Sequence, residues 1–215
     1  MNTVVLLSGG LDSSVLAAYL QKKGDAVWGL FIDYGQRHRV KEGQAAYRMA
    51  NWLNISRKFF QLEGVFGSNN ALTGNLEVPL GEYGAETMAT TVVPNRNSVL
   101  LNIAAAYAEG IGYDQVAYAA HGGDHVLYPD CTPEWVSAFN NLLKAGDLKV
   151  RLIAPFVWNT KAEIVTLGEE LGVPMQHTWS CYKGGEDHCG ECATCIERRR
   201  AFETAGVNDY TEYER

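Results

Sequence analysis

Two groups of residues in this 215-residue chain have the types and spacing that do chemistry. The first is Ser8-Gly9-Gly10-Leu11-Asp12-Ser13-Ser14, directly after the apolar run Val4-Val5-Leu6-Leu7. A glycine-rich turn between a buried strand and a helix offers an anion its backbone N–H groups and the positive end of the helix dipole. Its glycines let a phosphate come close to the backbone, and its serines add donors. The segment is neither GxxxxGK[ST] nor GxGxxG, so it lacks the lysine of a kinase-type phosphate loop and the fingerprint of a dinucleotide site. The plain alternative is a glycine-rich turn in which Asp12 and Ser13 only cap a helix.

The second group is Cys181, Cys189, Cys192 and Cys195, four of the five cysteines of the chain. Four thiolates complete a closed tetrahedral site for one structural Zn²⁺, with no open position for water. An iron–sulfur cluster is the competing occupant, because C-x2-C-x2-C also occurs in ferredoxins. The turns at Gly184-Gly185 and Gly190 let the chain wrap an ion. The fifth thiol, Cys131, stands alone in Tyr128-Pro129-Asp130-Cys131 and reads either as a core residue or as a pocket wall.

The elements that must position these groups follow from hydrophobic patterning. Buried strands are predicted at Val4–Leu7 and Ala26–Ile32, and further strands at Lys58–Leu62, Gln115–Ala119 and Arg151–Phe156. Helices are predicted at Leu11–Leu20, Glu42–Leu53, Asn97–Glu109 and Pro133–Lys144, and from the capping box Thr160-Lys161-Ala162-Glu163 to Leu171. A last helix runs from the cysteines to about Ala205. Strands alternating with helices imply parallel βαβ units with right-handed crossovers. Residues 64–91 show weak periodicity and read as a long connection of the kind that often serves as a lid.

Composition narrows the function classes. The chain is 47% hydrophobic and 20% charged, which fits a folded globular protein. Its net charge of −7 gives no global attraction to nucleic acid or an anionic membrane. The N-terminal apolar run is too short for a signal peptide or a membrane span, so a cytoplasmic location is expected, where clustered thiols favour metal over disulfides.

SGGxDS after an apolar strand resembles the PP-loop of the N-type ATP pyrophosphatases. Four further segments narrow the likeness: Asp33-Tyr34-Gly35-Gln36-Arg37-His38, Val93-Pro94-Asn95-Arg96-Asn97, Tyr128-Pro129-Asp130-Cys131 and Thr178-Trp179-Ser180-Cys181-Tyr182 with the cysteine triplet. In this order they resemble the 7-cyano-7-deazaguanine synthase family over nearly the whole chain. Two departures stand out: Thr132 occupies a position where that family usually has arginine, and residues 76–91 follow their own course.

The resemblance implies a three-layer α/β fold with a five-stranded parallel sheet, of the PP-loop ATPase (adenine nucleotide alpha-hydrolase-like) type. Residues 1–175 would form the ATP-binding domain, and residues 176–215 a small zinc-stapled helical appendage. The implied reaction converts 7-carboxy-7-deazaguanine and ammonia to the nitrile in two ATP-dependent rounds, through an adenylylated carboxylate and then an adenylylated amide. Leu7, Ser8, Gly9, Gly10, Leu11, Asp12, Ser13, Ser14, Leu30 and Asp33 would bind ATP, with Asp12 also on Mg²⁺. A homodimer is implied, and free ammonia or a separate partner would supply the nitrogen, since a glutamine-hydrolysing domain needs well over a hundred further residues.

Roles for single polar residues rest on the same resemblance. Arg96 at a helix start suits a bidentate hold on the substrate carboxylate or on phosphate; a surface arginine is the alternative. Lys161 lies in a first helical turn, where the dipole disfavours a cation and an anionic ligand would relieve it; otherwise it is solvated beside Glu163. Asp12, Arg96 and Lys161 are the expected catalytic groups. Arg96, Asn97, Asp124, Tyr128 and Asp130 are expected to bind substrate, a carboxylate at Asp124 or Asp130 matching the N–H donors of a deazaguanine. His121, His125 and Asp124 form a weaker candidate for a metal. Gln36, Arg37 and His38 either close over the nucleotide or form a solvated loop. Arg198-Arg199-Arg200 reads as a charged helix face. Three other readings stay open: a PP-loop enzyme acting directly on tRNA, one attaching a deazaguanine to another molecule, and a non-catalytic nucleotide-binding zinc module.

Overall fold

The computed structural model describes residues 1–62, 64–124 and 128–214. Its elements are β1 (Asn2–Leu6), α1 (Leu11–Lys22), β2 (Ala26–Asp33), α2 (Arg39–Trp52), β3 (Ser56–Gln61), α3 (Ala85–Thr91) and α4 (Arg96–Gly110). They continue with β4 (Gln115–Ala117), α5 (Pro133–Ala145), β5 (Arg151–Ile153), α6 (Lys161–Glu170) and α7 (Ala193–Ala205). The strands form one parallel sheet in the order β3-β2-β1-β4-β5, which is the expected five-stranded architecture.

Alternation along the strands feeds two cores. Val5, Val27, Phe31 and Ala117 face one side, where α1, α2, α6 and α7 pack. Val4, Leu30, Ile32, Val116 and Leu152 face the other, against α4 and α5. Both faces are covered, so the central strands read in sequence as unbroken apolar runs. A third, smaller cluster joins Ala45, Ala71, Val78 and Trp179 to the four clustered cysteines.

Three differences from the sequence reading bear on the site. β4 and β5 end earlier than predicted, and Ala119 and Ala120 instead line a cleft. Residues 64–91 are not all connection, for they end in α3, a seven-residue helix too short and threonine-rich to show a period. The third is that the connection is tied down: Gly81 N–H donates to Glu191 O (2.9 Å), and Leu80 bridges Cys192. The capping box of α6 forms as predicted, with Thr160 N–H donating to Glu163 Oε2 (2.8 Å) and Glu163 N–H to Thr160 Oγ1 (3.2 Å). No helix of the described residues is long and apolar enough to cross a membrane.

Candidate active site

The strand order reverses beside β1, and a cleft of about 570 Å³ opens there at the C-terminal ends of the strands. Open α/β sheets bind ligands at such a switch point, and this volume suits a small-molecule site. Ser8, Gly10, Leu11, Asp12 and Ser13 of the glycine loop line the cleft, together with Leu30 of β2. Leu7, Gly9, Ser14 and Asp33 are not on its walls. Leu7 is buried in the core, and Ser14 Oγ donates back to Gly10 O (2.8 Å). Asp33 closes the turn after β2, its Oδ1 accepting from Gly35 N–H (2.9 Å).

Gly9 is held by its surroundings. Its φ is +81°, and a Cβ there would stand 2.4 Å from Glu42 O and 2.5 Å from Ala46 N. Only glycine fits so close to α2 in this conformation. Its carbonyl accepts from Trp179 N–H (2.9 Å), which ties the loop to the cysteine-bearing segment.

Lys161 bridges Asp12 Oδ2 (3.3 Å) and Glu197 Oε2 (2.6 Å). The predicted conflict with the dipole of α6 is thus relieved by two carboxylates from other elements, and not by solvation beside Glu163. Burial works to raise the pKa of Asp12, but Lys161 and His121 outweigh it and hold the carboxyl below its ordinary value. Asp12 Oδ1 is buried without a hydrogen-bond partner.

Across the cleft, Arg96 Nη1 donates to Tyr34 OH (3.3 Å), and its Nε to Asn97 Oδ1 (3.2 Å). Among the described residues it has no carboxylate within ion-pair distance. Burial opposes its charge, but Tyr34, Tyr182 and Asp130 prevail and strengthen it. Burial also raises the Tyr34, Tyr83 and Tyr182 hydroxyls, so the guanidinium sits among neutral phenols. Asn97, Tyr128 and Asp130 line the same cleft. Of the expected substrate residues, the side chain of Asp124 lies outside the described residues, as does His125.

Cys131 satisfies both of its readings, being buried in the core beneath α5 while its segment walls the cleft. Thr132 caps α5 by accepting from Trp135 N–H (3.3 Å). Gln36 and His38 also line the cleft, whereas Arg37 turns outward and donates to Leu76 O (2.7 Å). Sequence reasoning missed Tyr34, Glu42, Tyr83, Tyr182 and Glu197. The density of polar residues around Tyr34 was a usable signal; Tyr83 sits in aperiodic sequence and had none.

The four clustered cysteines are buried, with ligand atoms all within 4.8 Å of one another. Sγ–Sγ distances of 3.5 Å (Cys192–Cys195) and 4.0 Å (Cys189–Cys195) bracket the edge of about 3.8 Å that four zinc–sulfur bonds of about 2.3 Å would give. Backbone N–H groups of Cys189 and Cys192 point at the sulfurs of Cys181 (3.4 Å) and Cys189 (3.3 Å). Packed against one another, the thiols separate: hydrogen bonding to Cys192 pushes Cys181 up to about 12, while Cys192 is driven down. Among the described residues this is the one cluster of such side chains able to hold a metal.

The arginine run needs correction. Arg198 is fully buried, donating through Nε to Thr211 (3.0 Å), through Nη1 to Thr178 (2.9 Å) and Ser180 (3.1 Å), and through Nη2 to Met175 O (2.7 Å). Arg199 lies over the Tyr213 ring and Arg200 pairs with Glu82. Helix periodicity turns only one of three consecutive residues inward, and an all-charged run conceals which one.

Comparison with known proteins agrees with this geometry. The family described as "Queuosine biosynthesis protein QueC" matches residues 2–206. A protein of Rhizobium johnstonii named 7-cyano-7-deazaguanine synthase is 49% identical, the match spanning 100% of this chain and 92% of that protein. One of the same name from Paracoccus denitrificans is 48% identical over 100% of this chain and 94% of its own. Among solved structures, the NH3-dependent NAD synthetase from Campylobacter jejuni, in complex with the nitrate ion, superposes with a TM-score of 0.50. It covers 95% of this chain and 75% of its own at 15% identity, a likeness of fold.

Proposed function

The chain belongs to the QueC family, and from that premise we propose that it is a 7-cyano-7-deazaguanine synthase, a carbon–nitrogen ligase driven by ATP. One observation supports the reading most: a single cleft carries both the glycine loop and the half-buried Arg96. The acid's carboxylate is a poor leaving group, and transfer of AMP to it creates a good one. The loop N–H groups of Gly10 to Ser13, with Lys161, receive the departing pyrophosphate and stabilise charge as it develops. Arg96 and Asn97 orient the carboxylate, with Tyr128 and Asp130 on the wall around the base. Trp135, Tyr34 and Tyr182 line the cleft with aromatic surface, which limits water around the adenylate.

Ammonia displaces AMP to give the amide, and a second adenylylation and loss of AMP give the nitrile. The orphaned Oδ1 of Asp12 suits Mg²⁺, which would supply charge neutralisation at the phosphates. The thiol cluster suits a structural Zn²⁺. A cytoplasmic homodimer with residues 176–215 as an appendage belongs to the same reading.

The test is an incubation with ATP, Mg²⁺, ammonium and 7-carboxy-7-deazaguanine. Mass spectrometry should find the nitrile, with two AMP and two pyrophosphate released for each. If adding the acid elicits no pyrophosphate, the reading fails.

A further inference from the structure

The described cleft holds a second polar centre, which none of these roles uses. His38 is 3% exposed, and its Nε2 lies 3.4 Å from Glu42 Oε1, one turn along α2. Its Nδ1 is buried without a hydrogen-bond partner. A carboxylate beside Nε2 fixes the neutral tautomer with the proton on Nε2 and the lone pair on Nδ1. This is how a carboxylate prepares an imidazole to act as a base.

The dyad is linked to the groups that hold substrate. Glu42 Oε2 accepts from Gln36 Nε2 (2.9 Å), and Gln36 Oε1 accepts from Tyr34 N–H (2.8 Å). The hydroxyl of Tyr34 in turn accepts from Arg96 Nη1 (3.3 Å). The Tyr182 ring lies 5.3 Å from the imidazole and covers it. Buried polar atoms are nearly always paired, so an unpaired acceptor on the wall of a ligand cleft marks a place for a donor.

We propose that His38 is the general base of the nitrogen chemistry, acting through Nδ1, with Glu42 as its positioning residue. The assignment rests on the synthase reading above. At neutral pH the nitrogen donor is mostly ammonium, which has no lone pair. His38 takes one proton from it. The freed lone pair forms the C–N bond to the acyl carbon, the C–O bond breaks, and AMP leaves with that electron pair. The surplus N–H proton passes to solvent, as does the proton on His38 before the second round. In that round one amide N–H proton passes to solvent as the oxygen takes AMP, and Nδ1 takes the remaining N–H proton from the neutral imidate. The N–H electron pair becomes the third C–N bond as AMP leaves.

The test compares full-length wild type with His38→Gln. The first-turnover burst of acid-dependent pyrophosphate should stay within about threefold of wild type in rate, while amide and nitrile formation with ammonium falls about 10²- to 10⁴-fold. Hydroxylamine, mostly uncharged at neutral pH, should trap the adenylate as a hydroxamate equally well in both. Glu42→Gln, the second variant should His38→Gln fail to fold, should lower amination about tenfold with adenylylation retained. Amination within threefold of wild type, or adenylylation falling in step with amination, overturns the assignment. Wild type that releases no acid-dependent pyrophosphate overturns the synthase reading and the base together.

Discussion

Two buried polar regions meet on α7, and they treat their hydrogen bonds in opposite ways. Arg198 points at residues 175–180 and 209–211, fully buried, with four hydrogen bonds and Asp209 3.7 Å away. One turn face away, Glu197 faces the cleft and shares Lys161 with Asp12, whose Oδ1 has no partner. His38 Nδ1, on the same cleft wall, has none either. An unmet buried polar atom costs about 1–3 kcal/mol. Among the described residues the fold bears that cost at the Trp28 indole N–H, packed against Tyr107 and Tyr113 away from the cleft, and at Asp12 and His38 in the cleft, where ligand atoms can meet it. The saturated region is scaffold and the unsaturated one is prepared for chemistry.

The strongest way to break this comparison is to dissolve the scaffold. Metal binding to a structural thiol site contributes about 10 kcal/mol or more to folding. Chelation or Cys195→Ser should therefore lower Tm by roughly 20 °C or more, at about 2–4 °C per kcal/mol for a chain of this size. The cleft should fail with it, since Trp179 N–H anchors Gly9 O and Glu197 anchors Lys161. Calorimetry and ATP binding measure both. An unchanged Tm after complete metal removal would make the thiol cluster a passive core.

A second pair of variants should separate the regions. Arg198→Met leaves Asp209 without its cation and the hydroxyls of Thr178 and Ser180 without their donor. Breaking such a buried pair costs about 3–5 kcal/mol. Asp12→Asn should instead lower turnover about 10²- to 10³-fold by weakening the hold on the Mg²⁺ that would neutralise the leaving group. Its Tm should move by only a few degrees, because Lys161 keeps Glu197. Reversed results, with stability lost at Asp12 and turnover alone lost at Arg198, would refute the distinction.

The cleft region was the more legible of the two in sequence. Ser8 to Ser14 announce themselves because a phosphate loop is local: its donors are consecutive residues. The central strands β1 and β2 were legible because burial on both faces leaves unbroken apolar runs, and the start of α6 because its capping box spans four residues. The cysteine spacing was legible for the same reason. Arg198 was not, since its partners Met175, Thr178, Ser180, Asp209 and Thr211 come from two distant segments with no shared pattern. Glu197 was missed because its partner Lys161 lies on another helix. The fold brings these groups together, and neither residue type nor spacing encodes the meeting.

The finest test concerns acid. Burial pushes the Asp209 carboxyl upward, but hydrogen bonds from Thr211 and Tyr213 and the charge of Arg198 outweigh it, and its pKa falls below the ordinary 3.8. A carboxyl depressed by folding binds its proton more weakly in the native state than in the unfolded one. Its contribution to stability is complete above the unfolded value and is lost as pH falls through the folded one. Melting temperature should therefore decline below pH 3.8, and more gently in Asp209→Asn, which has no such proton to take up. Asp12 is depressed as well, so Asp12→Asn should flatten the same limb. The two regions differ in what ligand does to it: Mg²⁺ and ATP should protect the limb that depends on Asp12 and leave the part that depends on Asp209 unchanged. Equal protection of both would mean that the region around Arg198, too, responds to ligand, and that saturation of its hydrogen bonds does not make it inert.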